Sequence, residues 1–459
     1  MGIQNFPAVL QPIIQQGFLE QQFQAALESE IGYRNIADRE GFTANVGETI
    51  TKTRAGLLAP ATTPLAPSSS NVNFDNGLTP QNWTVEQYTL TLLQYGATMD
   101  LNTVTQTVEI ANRFVQNSYK LGLQAAQTCD RLARDALYAA YFTGNTRVRV
   151  TLGSPNVAIA VDDVRGFLFA YNLAAFTSAS QILAGGAPSP TSQAVSATNP
   201  LTVTVGANAY TCIGAVADAV NVSTAPNGIS GVLTMGNTVT VADGTAGLSV
   251  IASNGTGVFR PSGRTNTSLL QATDTLTMSV LLDTVAQLRN NRVPTVGSTG
   301  VYNCYLDYKS ARQLFADSDF RQLYQSATGS NGVFKKGFPV DMLGLAFHPV
   351  TETYVQAHPS IANAVVRRPV IAGQGALIEG DFVGQNHRDV GNPLAEIMVS
   401  DGITHIVRAP MDRLQQIIGQ SWEFIMAFTA PTDITTNNTI IPTASNAAYK
   451  RAAIIEHIG

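Results

Sequence analysis

Charge is what this 459-residue chain has least of: Asp, Glu, Lys and Arg make up 13% of it, about half the usual share. Hydrophobic residues stay at 44%, and no apolar run approaches the roughly 18 residues of a membrane span. Ordinary hydrophobicity with little charge implies surfaces that become covered by other chains. Positive charge is not in excess either. A net charge of −5 and a pI near 5.6 argue against nucleic-acid binding through a broad basic face. Cysteine is scarce: Cys129, Cys212 and Cys304 are widely spaced, odd in number and free of any CxxC. That argues against a disulfide framework or a zinc site and fits packing thiols in a reducing compartment. The opening stretch "MGIQNFPAVLQPIIQQGFLEQQF" lacks the positive n-region and small-residue cleavage site of a secretory signal. Phe6 stands where a myristoylation signal wants Ser or Thr.

Catalytic signatures are missing too. There is no Walker A sequence, no GxGxxG, no HExxH and no GxSxG. The histidines are His348, His358, His387, His405 and His457, none at metal-ligand spacing from another His or Cys; each reads as structural. Asp162–Asp163 and the Asp317/Asp319 pair are the nearest approach to paired carboxylates. Asp317 and Asp319 lie two apart in an expected helix, so they face different directions and read as turn or helix-start residues. Lys335–Lys336 reads as a solvated loop. No catalytic residue, metal or cofactor is expected.

The organisation is more informative. Residues 8–30 carry Leu10, Ile14, Phe18, Leu19, Phe23, Ala26 and Leu27 at helical spacing beneath a glutamine-rich face. "VGETITKTR" (46–54) and "TVEQYTLTLLQY" (84–95) read as two strands. Between them Ala55–Trp83 holds 29 residues, four prolines and a single charge, Asp75. A connection this long is normally functional or disordered. Leu57, Leu58, Leu65, Val72, Phe74, Leu78 and Trp83 make it too apolar for disorder, so contact with another subunit is expected to order it. Leu65, Phe74, Leu78 and Trp83 are the expected intersubunit contacts. Residues 103–143 form the strongest helical pattern, with Phe114, Leu121, Ala125, Cys129 and Leu132 on one face. From Gly166 to Phe259 the only charges are Asp218 and Asp243. From about 198 short β patterns ("LTVTV", "GVLTM", "TVTVA", "LSVIA") alternate with turns, which predicts a small sandwich or barrel. A mixed region follows: a helix capped by Thr273 or Asp274, the strand "GVYNCYLDY", a second helix "KSARQLFADSDFRQLYQ", and strands "GLAFHPV", "AVVRRPVIA", "HIVRAP" and "QSWEFIMAF".

Several stretches together resemble tailed-bacteriophage major capsid proteins of the Hong Kong 97 fold, of the phage N4-type capsid family. They are "YRNIADREGFTANVGETITKTR", "TLTLLQYGATMDLNTVTQ", "VLLDTVAQLRNNRVPTVGSTGVYNCYLDYKSARQLFADSDFRQL" and "GLAFHPVTE". The resemblance implies an α+β fold with an inserted all-β domain. It implies an N-terminal arm (1–45), an extended β-hairpin loop (46–95) and a peripheral domain (96–165) whose spine helix is 103–143. A low-charge insertion (166–268), an axial domain (269–395) and return strands of the peripheral domain (396–459) would follow. The implied role is an icosahedral shell of hexamers and pentamers around double-stranded DNA, assembled in a host cytoplasm, with scaffolding, portal and decoration proteins as further partners and no membrane. An encapsulating compartment shell of the same fold, or a secreted β-rich adhesin, remains as an alternative.

Overall fold

The computed structural model describes residues 10–11, 18–28, 32–43, 49–55, 85–103, 110–141, 145–164, 167, 169–170, 193–198, 200–206, 208–223, 230–252, 258–264, 270–290, 293–297, 300–327, 344–353, 355–358, 361–383, 395–410, 412–430 and 451–459. The chain is a mixed α+β protein that divides into two compact units. One gathers 1–51, 89–136 and 377–429; the other gathers 52–88, 137–376 and 430–459.

The first unit is built on a six-stranded sheet. Strand Ile417–Thr429 is its centre and is paired antiparallel with Leu93–Asn102, Ile403–Arg408 and Leu377–Val383. Ala395–Ser400 and Ala37–Thr43 complete it, the latter parallel to Leu377–Val383. The expected alternation holds: Trp422, Phe424 and Met426 are buried, and Phe428 packs against the same core. That face is covered by the arm helix Phe18–Glu28, through Phe23 and Leu27, and by the long helix Ile110–Tyr141, through Leu121, Ala125, Ala126 and Cys129. Thr103, the first residue of the helical pattern, is not part of the long helix. The strand before it runs to Asn102, and the Thr103 N–H still donates to the Gln416 carbonyl at 2.8 Å, so this backbone is committed to the sheet. Its 32 residues span about 48 Å.

Two large, separate cores lie in the second unit. One lies inside a six-stranded sheet with the order Asn145–Arg147, Ser249–Ala252, Leu201–Val205, Asn208–Ala217, Gly231–Val239, Asn156–Val161. Its ends meet. Val148 bridges Val161, Arg149 N–H donates to the Ala160 carbonyl at 2.8 Å, and Asp162 N–H donates to the Arg147 carbonyl at 3.2 Å. The sheet is therefore a closed barrel. Leu201, Val203, Val205, Cys212, Leu233, Met235 and Val250 fill it. Closure leaves the low-charge strands without open edges, which is how a neutral β module avoids pairing with its neighbours. The barrel reaches upstream of the charge-poor stretch. Strands 145–147 and 156–161 belong to it although Arg147, Arg149 and Asp162 break the compositional pattern: Arg147 pairs with Asp162 across the seam, and Arg149 pairs with Asp218 at 3.1 Å.

The other core belongs to a five-stranded sheet ordered Val258–Phe259, Ala452–Ile455, Val370–Ala372, Tyr302–Leu306, Leu345–Pro349. Helix Met278–Asn290 packs on it through Leu281, Val285 and Leu288. Four expectations change here. The stretch 309–325 is two helices, Tyr308–Ala316 and Ser318–Ala327, broken where Asp317 takes extended backbone. Asp317 accepts the N–H groups of Asp319 and of Met278, so it also caps the helix that Thr273 or Asp274 was expected to cap. Asp274 is instead buried and accepts from Ser262, Arg264 and the Gln271 N–H. "AVVRRPVIA" divides at Pro369 into strands of two different sheets, Val365–Arg367 and Val370–Ala372. Finally, strand Ala452–Ile455 does not return to the sheet of 417–429. Its four buried residues make it an interior strand between Val258–Phe259 and Val370–Ala372.

Candidate functional site

Four constellations of polar side chains have the residue types of chemistry, and the fold accounts for each. The first looks like a hydrolytic triad. Asp307, Ser310 and His457 are buried together, with Ser310 Oγ at 2.9 Å from His457 Nε2. In a nucleophilic triad the carboxylate orients the histidine. Here it holds the serine: Ser310 Oγ donates to Asp307, and so does the Ser310 N–H, at 3.2 Å. Asp307 is the N-cap of helix Tyr308–Ala316 and also pairs with Arg367. Burial holds the His457 ring down at about 4. The cluster ties the strand His457–Ile458 to a helix start, and its burial leaves a substrate no approach. Sequence reading missed it because the residues lie 147 positions apart.

In the second, Asp243 is buried in the barrel and accepts from Asn208 at 2.9 Å, Tyr210 at 2.6 Å and Thr240 at 2.9 Å. The third is a buried ion triplet, Arg260–Glu456–Arg368, with distances of 2.7 and 2.8 Å. The fourth is the Arg34 network of the first unit: Arg34 meets Glu379 at 2.6 Å and Asp401 at 2.9 Å, and Asp130 accepts the backbone N–H of Gly32 and of Arg34. Among the expected polar pairs, Asp162 serves the barrel seam, and Asp163 N–H donates to Thr146 Oγ1 at 2.9 Å. No group of His, Cys, Asp and Glu among the described residues is arranged to hold a metal ion. No helix of the described residues is long and apolar enough to cross a membrane. The three cysteines are buried and free. Burial raises all three thiols, Cys129 to about 12.

What remains is a ribbon outside the main sheets. Strands Thr49–Ala55 and Val85–Thr91 form a two-stranded ribbon that pairs with no other strand among the described residues. A lone ribbon is marginal in water. Thr49 and Thr91 hydroxyls lie 3.2 Å apart across it. The second strand breaks at Leu92, beyond which the chain enters the main sheet. The expected contact residues Leu65, Phe74, Leu78 and Trp83 lie outside the described residues, as do Lys335 and Lys336.

No family model matches the chain, and no curated protein matches it. Among solved structures it is similar to the capsid of Ralstonia phage GP4, at 12% identity over 94% of this chain and 90% of that one, with a TM-score of 0.46. It is also similar to the capsid of cyanophage Pam1, at 11% identity over 91% and 88%, with a TM-score of 0.43. The head structure of Helicobacter pylori bacteriophage KHP40 matches at 11% identity over 94% and 92%, with a TM-score of 0.40.

Proposed function

We propose that the chain is a structural shell subunit, a tailed-phage major capsid protein of the Hong Kong 97 type that forms hexamers and pentamers around double-stranded DNA. The observation that carries this reading is the ribbon. Strands 49–55 and 85–91 pair only with each other among the described residues, and the 29-residue connection they carry has one charge and four prolines. Such a ribbon gains stability only by lying on another surface. Proline-stiffened chain loses less entropy when it docks, and Leu65, Phe74, Leu78 and Trp83 are the proposed anchors. No lysine occurs between Lys52 and Lys120, so the loop tip makes no lysine–amide cross-link, and burial alone holds the shell. A mass spectrum of assembled particles showing an isopeptide bond that joins a lysine from elsewhere in the shell to that loop would refute this.

Electron microscopy of the purified chain, alone and with the products of neighbouring genes, tests the proposal. Closed icosahedral shells with the 55–83 arm laid over a neighbouring subunit are expected. Monodisperse monomers under every condition, with that arm resistant to protease, would overturn it.

A further inference from the structure

His405 is a buried histidine with nothing to bond. It lies on strand Ile403–Arg408 with 0% exposure, and neither ring nitrogen has a hydrogen-bond partner among the described residues. Its register neighbours are Met398 and Trp422, which puts it on the helix-covered face of the sheet. Phe23 of the arm helix stacks on its ring, with centroids 4.7 Å apart and planes at 20°. Neutral imidazole packs there as an aromatic. Imidazolium would be a desolvated cation without a counterion.

The charged groups around this contact do not supply one. On the arm helix the carboxylate whose surroundings are described is Glu20, which is exposed. On strand Ala395–Ser400 it is Glu396, whose Oε2 has no partner; burial raises its carboxyl, and Glu20 raises it further. On strand 417–429 the side chains sharing His405's face are Gln420, Trp422 and Phe424, while Glu423 is opposite Thr404 on the other face. On the long helix, Cys129 stays a neutral thiol, and Asp130 is occupied by the N–H groups of Gly32 and Arg34. Arg34 is itself engaged by Glu379 and Asp401.

We propose that the Phe23–His405 contact is an acid-sensitive latch: the arm helix Phe18–Glu28 is docked while His405 is neutral and is released when it takes a proton. Burial holds the docked ring down at about 4, against an ordinary 6.5 once released. The released state therefore binds protons more tightly. Docking is at full strength above pH 6.5, weakens as the pH falls from 6.5 towards 4, and changes little below that. The shift caps the effect at about 300-fold in the docking equilibrium. Glu396 works the other way. Its carboxyl is raised when docked, so it takes a proton more readily there, and acid strengthens docking through it.

Hydrogen exchange of the full chain at pH 7 and pH 4.5, corrected for the intrinsic pH dependence of exchange, tests the latch. Protection of 18–28 is expected to fall about tenfold or more, while barrel strands 201–205 and 231–239 keep theirs. Glu396→Gln should enlarge the fall, and His405→Phe should abolish it. A wild-type chain that keeps its arm protected at pH 4.5, or a His405→Phe chain that loses protection equally, overturns the proposal. A direct NMR titration of the wild-type His405 ring decides the question without the Phe variant. A ring titrating between 4 and 6.5 in step with the loss of arm protection supports the latch. A ring titrating near 6.5 with the arm still protected overturns it.

Discussion

Arg34 places its charge between two carboxylates that are far from it in sequence. Its Nε and Nη2 donate to Glu379 at 2.6–3.2 Å, and its Nη1 donates to Asp401 at 2.9 Å. Arg39 reaches Asp401 at 2.6 Å and closes a square of two cations and two anions. Asp401 can sit there because it takes a left-handed turn conformation, with φ of 52°. Both Arg34 and Glu379 are buried, so each is costly without the other. Glu379→Gln keeps the shape but leaves the guanidinium half neutralised. It should lower unfolding stability by about 3 kcal/mol, read as a shift in denaturant midpoint at unchanged slope. Replacing both partners, Arg34→Met with Glu379→Leu, should recover most of that loss, because an apolar pair leaves no unpaired charge. A single-variant loss below about 1 kcal/mol would show that the network positions the chain without stabilising it.

At the scale of elements, the long helix carries one glycine, Gly122, and the arm helix crosses there. A Cβ on Gly122 would stand 2.7 Å from the Phe23 carbonyl oxygen and 3.0 Å from Ala26 Cβ. Intrinsic propensity favours Gly122→Ala by about 1 kcal/mol, but a backbone oxygen cannot yield unless the arm helix moves. Gly122→Ala should therefore speed exchange across 18–28 by about tenfold while leaving 110–141 protected. A more stable variant with its arm still protected would mean that propensity wins. Much at this scale was legible in the sequence. The stripe Phe114, Leu121, Ala125, Cys129 and the alternation Trp422, Phe424, Met426 name buried faces directly, because period reports the face. Period does not report the partner. Ala452–Ile455 is uniformly buried, and nothing local says that it lies between 258–259 and 370–372. The Asp317 break was hidden because its cause, the N-terminus of helix Met278–Asn290, lies 39 residues away. The contact residues of the proposed assembly surface face the same difficulty, since one chain does not show its neighbour's surface.

Over the whole molecule, the barrel is the part whose connections say most about how the chain is put together. Asn145 pairs with Ile251 and Arg147 with Ser249, so the chain enters and leaves the barrel side by side. Its core, from Val148 to Ala252, shares no residue with the core of the five-stranded sheet, which runs from Leu276 to Ile455. Adjacent ends and a separate core are what a unit inserted into an existing fold requires. Composition alone placed the start of this unit too late, because the seam arginines and Asp162 look like the end of the preceding region, although they belong to the barrel. Replacing 146–250 with a short Gly/Ser turn should therefore leave a soluble chain. It should lose one thermal transition and keep hydrogen-exchange protection in strands 302–306 and 370–372. Under the shell proposal it should also still assemble, because ribbon, long helix and the three remaining sheets of the described residues are intact. An insoluble variant, or one in which 302–306 exchanges as freely as an unfolded chain, would mean that barrel and sheet fold as one cooperative body despite their separate cores.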